Sequence, residues 1–136
     1  MLRYLLDTNV LSQAVSRVPS VSIVRRLDSV GDQCALAAPV WHELQFGCKR
    51  MPAGKRREAL EDYLVDVVQT FEILPYDELA AKVHATERER LERIGKTVPF
   101  VDGQIAAIAQ ANELVLVTAN VRDFAPFRNL RVENWA

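Results

Sequence analysis

A short, wholly apolar run near the start of the chain places the strongest limit on its fold. Tyr4–Leu6 is apolar throughout and is followed directly by Asp7, Thr8 and Asn9. The run is too short for a buried helix, so it predicts a central strand of a parallel sheet covered on both faces. Ligands of open α/β sheets bind beyond the carboxyl ends of the strands, where this polar triplet would lie. Helix capping is the alternative explanation for the triplet.

Further apolar runs alternate with helical patterns along the rest of the chain. Buried strands are predicted at residues 34–37, 71–74 and 114–118, with a short final strand at 131–133. Helices are predicted at residues 10–15, 21–30, 40–50, 55–68, 77–94 and 101–111. This alternation predicts an α/β fold, a three-layer sandwich with a mostly parallel central sheet. No linker or repeat interrupts residues 1–136, so we expect a single domain.

Composition excludes several classes of protein. Hydrophobic residues make up 49% of the chain and charged residues 26%, which are values of a globular domain. A formal net charge of −1 excludes a uniformly basic nucleic-acid binder. No apolar stretch approaches the roughly 20 residues of a membrane span. Cys34 and Cys48 lack the spacing of a zinc site, so we expect a cytoplasmic protein with reduced thiols and no membrane partner.

Three further acids stand at positions where charge is unusual. Glu43 lies among large apolar residues of a predicted helix, and Asp102 opens an alanine-rich helix. Asp123 follows the carboxyl end of the strand at 114–118. Each acid alone is also compatible with an ordinary place on a helix surface, at a helix start or in a turn. Together with Asp7 they indicate a crevice that contains several carboxylates.

Carboxylates gathered in one crevice repel each other, and burial of unpaired charges costs several kcal/mol or raises their pKa values. A divalent cation would supply the missing positive charge. Ligation by oxygen atoms alone suits Mg²⁺ or Mn²⁺ better than zinc. Such ions activate water and neutralise a phosphodiester during in-line displacement.

The acids belong to motifs whose order carries a family resemblance. The motifs are Leu6-Asp7-Thr8-Asn9, Glu43 in the helix after the second strand, Pro99…Asp102…Ile105-Ala106-Ala107, and Thr118…Asn120…Asp123-Phe124. This ordered set resembles the PIN domain and, more narrowly, the VapC-type toxins of bacterial toxin–antitoxin systems. The resemblance implies a Mg²⁺- or Mn²⁺-dependent endoribonuclease that acts as a toxin and cleaves RNA phosphodiester bonds with a metal-activated water.

The resemblance also implies roles for residues, and partners. It makes Asp7, Glu43, Asp102 and Asp123 the catalytic and metal-binding quartet, with Thr8, Asn9, Thr118 and Asn120 as supporting polar groups. It implies a homodimer, a VapB-type antitoxin whose C-terminal segment occupies a groove leading to the acids, and an RNA substrate of the tRNA or rRNA class. Large aromatic residues are enriched at interface cores, so interface and protein core are both open for Trp41, Phe46 and Tyr63.

Positive residues near the acids are candidates for phosphate contacts. These RNA-binding candidates are Lys49, Arg50, Lys55, Arg56, Arg57 and Arg122. Alternating charges at residues 87–93 instead predict a solvated helix face. Gly47 within a helix predicts close packing of another backbone, and neither His42 nor His84 is expected to be a ligand or base.

Other functions are weighed against the nuclease. A receiver-like signalling domain also clusters acids beyond strand ends, but it needs a lysine after a late strand, and no lysine follows Lys96. A haloacid-dehalogenase-like phosphatase needs an acid where Asn9 stands. A non-catalytic PIN-like module that binds RNA or protein remains open, and the intact set of four acids favours the enzyme.

Overall fold

The structure is a computed structural model that describes all 136 residues and is built on five parallel strands. The strands are β1 (Tyr4–Leu6), β2 (Cys34–Ala37), β3 (Glu72–Leu74), β4 (Val115–Val117) and β5 (Val132–Glu133). They are ordered β3-β2-β1-β4-β5, and every neighbouring pair is parallel. The predicted mostly parallel sheet is therefore confirmed and is parallel throughout.

Seven helices accompany the sheet. They are α1 (Thr8–Ala14), α2 (Val21–Val30), α3 (Ala38–Lys49), α4 (Lys55–Asp66), α5 (Glu78–Arg93), α6 (Phe100–Ala111) and α7 (Val121–Phe124). Crossovers between parallel strands are right-handed, so this strand order requires α1 to α4 on one face of the sheet and α5 to α7 on the other, which gives three layers. No helix is both long and apolar enough to cross a membrane.

The order of the strands creates the crevice in which the candidate site lies. From β1 the chain proceeds outward through β2 to β3, then returns across the sheet to β4 on the other side of β1. The connections that leave β1 and β4 therefore diverge to opposite faces. Ligand crevices of open α/β sheets form at such a point, beyond the carboxyl ends of the two strands. Asp7 follows β1 directly, and Thr118 follows β4 directly.

Burial of β1 and β2 explains why their sequences are apolar without alternation. Every residue of both strands is buried, because helices cover each face of the sheet. Polar side chains cap the first turns of two helices. Ser20 accepts a hydrogen bond from the Ile23 amide at the start of α2, and Asp77 accepts one from the Ala80 amide at the start of α5.

Two predictions about helices were wrong. Gly47 does not provide close packing, since a Cβ built on it meets no atom within 4 Å. The charged segment of α5 is not solvated throughout: the side chains of Glu87 and Arg90 are only 12% and 14% exposed and form an ion pair. A close approach to a helix backbone occurs instead at Gly103 of α6, where a Cβ would overlap the His84 ring at Nε2.

Gly103→Ala should destabilise the protein by about 1–3 kcal/mol, the range for overpacking. The reason is that His84 Nδ1 is hydrogen-bonded to the Tyr76 hydroxyl at 2.7 Å, so the ring cannot move aside without losing that bond. Gly47→Ala is the matched control and should stabilise α3 by up to about 1 kcal/mol. Urea denaturation measures both changes. Equal effects of the two substitutions would contradict this description of the α5–α6 contact.

Candidate metal and catalytic site

Asp7 is the buried centre of the site and has two structural partners. Its Oδ1 accepts a hydrogen bond of 2.8 Å from the Thr8 amide, so Asp7 does cap α1. Its Oδ2 accepts one of 2.9 Å from the Thr118 hydroxyl at the end of β4. Asp7 therefore both caps α1 and lies in the acidic crevice. The second bond joins the two strands at the point where their connections diverge.

Asn9 and Thr118 form the polar base around Asp7. The Asn9 side chain accepts a bond of 3.0 Å from the Ala119 amide and donates one of 3.3 Å to Thr118 Oγ1. It also lies 3.5 Å from Asp7 Oδ2. Thr118 Oγ1 further accepts from the Asn120 amide at 3.0 Å. Asn120 thus contacts Thr118 through its backbone N–H, whereas Asn9 does so through its side chain.

Glu43 approaches from α3 and is positioned by Thr8. The Thr8 hydroxyl donates a hydrogen bond of 2.7 Å to Glu43 Oε2. Glu43 is exposed, and one end of its carboxylate remains open to solvent. Thr8 therefore connects the acid on α3 to the strand that carries Asp7.

Asp102 and Asp123 complete the cluster from the other side. Asp102 lies in the first turn of α6 and is half-buried, while Asp123 lies in α7 and is exposed. All four candidate acids interact electrostatically. The charges of Glu43 and Asp123 raise the pKa of Asp7, and those of Asp7, Asp123 and Glu43 raise the pKa of Asp102.

Burial is the largest cause of both shifts. Together with the three neighbouring carboxylates, it raises the pKa of Asp102 from 3.8 to about 6. Burial also raises the pKa of Asp7, although the hydrogen bonds from Thr118 and Thr8 oppose that shift. The protein thus holds carboxylates together at a cost that water and hydrogen bonds do not fully offset.

The donor set fits an oxygen-ligated cation that retains water. Carboxylates whose pKa values are raised by like charges need positive charge, and the set contains no thiolate or imidazole. No three acidic, histidine or cysteine side chains are placed to enclose an ion on their own. Mg²⁺ does not require such a cage, because it is usually bound through one or two carboxylates and several waters.

Comparison with known proteins agrees with this geometry. The model of the PIN domain matches residues 4–130. The chain is 32% identical over 136 residues to Ribonuclease VapC2 of Haemophilus influenzae, a match that covers 99% of both sequences. The chain belongs to the PIN-domain family and is of the VapC type.

Solved structures show the same fold. FitAcB from Neisseria gonorrhoeae is 32% identical, with a TM-score of 0.87 over 96% of both chains. VapBC from Salmonella typhimurium, in a DNA-bound crystal structure, is 29% identical, with a TM-score of 0.89 over 100% of both chains. Both comparisons cover the strands and helices that carry the acids.

The basic candidates of this PIN domain fall into different environments. Lys49, Lys55 and Arg122 are exposed. The Arg50 guanidinium lies over the Phe46 ring at 5.2 Å. Arg57 is engaged within the protein, which argues against a contact with RNA. Its guanidinium pairs with Glu61 at 2.9 Å and donates to the Met51 carbonyl at 3.3 Å.

An apolar groove between α1, α3 and α4 leads to the acids of the PIN domain. Its volume is about 550 Å³, and Thr8, Glu43 and Arg56 line it together with apolar side chains. Tyr63 also lines the groove, and its hydroxyl donates to the Leu11 carbonyl at 3.3 Å. Of the three aromatic residues considered as interface or core, only Tyr63 lies here. Trp41 packs against the core, and Phe46 is exposed.

Sequence patterns missed the residue that anchors the Asp123 segment. Arg90 donates 2.9 and 2.5 Å hydrogen bonds to Glu87 and a 2.8 Å bond to the Pro126 carbonyl, three residues after Asp123. Phe124, beside Asp123, is buried in the core. These two contacts fix the backbone of the segment although Asp123 itself is exposed. In the sequence, the only indication of the ion pair is the three-residue spacing from Glu87 to Arg90. The same spacing also occurs on solvated helices.

The raised pKa of Asp102 gives a pH dependence with a definite sign. The folded protein binds this proton more tightly than the unfolded chain does. The resulting stabilisation is complete below about pH 4 and is lost as pH rises through about 6, the pKa in the folded state. In EDTA, Asp102→Asn should therefore become progressively more stable than the wild type between pH 4 and 7.

Urea denaturation of both proteins across this pH range measures the difference. Asp62→Asn, at an exposed position of α4, is the control and should show no such trend. A stability difference between wild type and Asp102→Asn that does not vary with pH would contradict the assigned electrostatics.

Proposed function

We propose that this chain, a single PIN-like domain of residues 1–136, is a Mg²⁺- or Mn²⁺-dependent endoribonuclease and the toxin of a toxin–antitoxin pair. Asp7, Glu43, Asp102 and Asp123 are its proposed catalytic acids and metal ligands. One observation carries the proposal: the charges of three of these acids raise the pKa of the fourth, Asp102, at the point where the strand order reverses. A site that concentrates negative charge in this way is built for a cation.

Each residue of the site has a distinct task. The Thr8 amide and the Thr118 hydroxyl hold the two oxygens of Asp7 in fixed directions. Thr8 also holds one oxygen of Glu43, so the position of that carboxylate is tied to α1. Burial and the neighbouring carboxylates raise the pKa of Asp102 to about 6, so this side chain is mainly a carboxylate only above that pH. When bound, the cation supplies a Lewis acid for the phosphodiester and lowers the pKa of a ligated water.

The names of the relatives support RNA as the substrate. One relative is named Ribonuclease VapC2, as given above. Another, of Shigella flexneri, is named tRNA(fMet)-specific endonuclease VapC and is 29% identical over 136 residues, with full coverage of both sequences. We therefore propose a structured RNA of the tRNA or rRNA class. The exposed side chains of Lys49, Arg50, Lys55, Arg56 and Arg122 are the proposed phosphate contacts.

Asp7→Asn and Asp102→Asn should each reduce RNA cleavage by at least about 100-fold, the lower range for loss of a group that assists proton transfer or holds the cation. Asp62→Asn is the matched control, because it removes one exposed carboxylate that neither lines the groove nor belongs to the acidic site, and it should cleave normally. Cleavage of a tRNA mixture by purified protein is measured in Mg²⁺, in Mn²⁺ and in EDTA. Unchanged turnover in either site variant, or full activity in EDTA, would refute the metal site.

The groove between α1, α3 and α4 is the proposed docking site of the antitoxin. It is lined mainly by apolar residues, yet Glu43 and Thr8 close one end. An occupant therefore needs apolar side chains along its length and a basic side chain at the end nearest the acids. Such a segment would exclude RNA and supply the positive charge that the carboxylates lack. Structures of VapBC and FitAB complexes among the solved relatives support an antitoxin as this occupant.

Gly47→Leu tests this groove without altering the acids. A Cβ at Gly47 meets nothing within 4 Å, so the larger side chain should be accommodated and should project into the groove that Gly47 lines. Antitoxin affinity should fall by about tenfold or more, equivalent to about 1.4 kcal/mol, while RNA cleavage persists. Ala85→Leu, at an exposed position of α5, is the control.

The antitoxin for this measurement is the product of the small open reading frame beside the gene, co-expressed and co-purified with the protein. Light scattering of the complex also tests the proposed homodimer. Failure to form any complex, or a complex that cleaves RNA as fast as the free protein, would remove the toxin proposal and leave the nuclease proposal standing.

A further inference from the structure

A second cavity lies between α5 and α6 and shares no lining residue with the apolar groove. Its volume is about 260 Å³. The residues used below are His84, Arg88, Glu92, Lys96, Phe100 and Gly103, all of which line it. Pockets for drug-sized ligands measure roughly 300–1,000 Å³, so this cavity suits a smaller planar group.

His84 provides a polar group at the inner wall of the cavity. The residue is only 4% exposed, and its Nδ1 is hydrogen-bonded to the Tyr76 hydroxyl at 2.7 Å. Its Nε2 lies beside the Cα of Gly103 and has no hydrogen-bond partner within the protein. Whichever tautomer is present, this nitrogen offers one donor or one acceptor to a ligand. Nε2 retains solvent access, so a ligand in the cavity can reach it.

Phe100 and Arg88 provide flat surfaces at the mouth of the cavity. The Phe100 ring is 50% exposed, although it packs edge-on against His84 with ring centroids 4.8 Å apart. The Arg88 guanidinium lies 5.2 Å from the centre of the same ring. Proteins bind unpaired bases by stacking them on aromatic rings and guanidinium planes. A phenylalanine ring that is half-exposed at the mouth of a cavity can stack on a base in this way.

The charges around the cavity favour a base over a phosphate. Arg88 and Lys96 are positive, but Glu92 is negative and lies 3.6 Å from the Arg88 guanidinium. A carboxylate in the wall repels a phosphate, whereas it accepts hydrogen bonds from the amino groups of bases. Lys96 remains available for the phosphate of the same nucleotide.

The cavity adjoins the acidic site along the chain. Phe100 and Gly103 flank Asp102 within the first turn of α6. Successive residues of a helix point about 100° apart, so Asp102 faces the acids while Gly103 faces the cavity. A strand of RNA whose phosphate is at Asp102 can therefore place a neighbouring base beyond the end of α6.

We propose that the cavity between α5 and α6 binds an unstacked nucleobase of the RNA substrate, from a nucleotide next to the cleaved phosphate. Phe100 and Arg88 stack against the base, and His84 Nε2 forms a hydrogen bond with it. The cavity is thus a determinant of substrate choice. This inference rests on the proposed ribonuclease function. It adds a binding site for a base of the RNA, whereas the acids act at the phosphate.

The direct test measures binding without catalysis. The four nucleoside 5′-monophosphates are titrated into the protein in EDTA while the imidazole signals of His84 are followed by NMR. At least one monophosphate should shift these signals saturably, whereas ribose 5-phosphate and inorganic phosphate should not. Equal responses to ribose 5-phosphate, or no response to any nucleotide, would overturn the base site.

Variants then assign the binding to the cavity. Phe100→Leu should weaken binding of the responding nucleotide by roughly five- to 150-fold, the range for loss of one base-stacking contact. Arg88→Gln should also weaken binding of this nucleotide. Arg93→Gln and Ile94→Ala are matched controls, because both residues are exposed near the end of α5 and neither lines the cavity. Equal effects of the cavity and control variants would contradict the proposal.

RNA cleavage by the same variants separates the two proposals. Wild-type cleavage with no nucleotide response at His84 would refute the base site alone. A nucleotide response with no cleavage in any metal would support the base site and refute the nuclease. If Phe100→Leu changes only the association state, measured by light scattering, this face is an interface between copies of the chain and the base site is wrong.

Discussion

Repulsion among like charges is the physical constraint on which the rest of the structure depends. Four carboxylates meet beyond the carboxyl ends of β1 and β4, where burial and their mutual repulsion raise the pKa of Asp102 to about 6. The free energy of folding must hold this arrangement together when no cation is present. The hydrogen bond from Thr118 to Asp7 contributes most directly, since it joins the two central strands and lowers the pKa of Asp7 at the same time.

The surrounding fold explains how exposed acids can still be precisely placed. Glu43 is exposed but is hydrogen-bonded to Thr8, which belongs to the helix that Asp7 caps. Asp123 is also exposed, and its position depends on the buried ring of Phe124 and on the bond from Arg90 to the Pro126 carbonyl. The positions of the exposed acids are therefore fixed by contacts of neighbouring residues. Breaking the Glu87–Arg90 pair would leave a largely buried charge without its partner, which is costly.

Local patterns in the sequence predicted the features that are themselves local. The strands β1 and β2 are apolar throughout because both their faces are covered, and this alone indicated a parallel sheet. The four acids could be grouped because strand ends and helix starts are readable, and the order of the motifs resembled a known family. The roles assigned to these acids remain proposals. Their electrostatic proximity, in contrast, is a property of the structure.

Features that depend on packing between distant segments could not be predicted in the same way. Gly47 and Gly103 both lie within helices, and nothing in their flanking residues shows that only Gly103 faces a neighbouring ring. Arg90 has the same spacing to a glutamate as residues of a solvated helix, yet it reaches a carbonyl 36 positions away. The sequence predicts no ligand or base role for His84. Its contact with Gly103 and its place in a cavity required the three-dimensional structure.

We propose that a bound divalent cation relieves the repulsion among the acids. The most direct measurement is anomalous diffraction from crystals of the protein that contain Mn²⁺. A strong anomalous peak is expected within coordination distance of Asp7 and Asp102, with waters completing the shell. A protein that cleaves RNA in Mn²⁺ but whose crystals show no manganese at these carboxylates would contradict the claim.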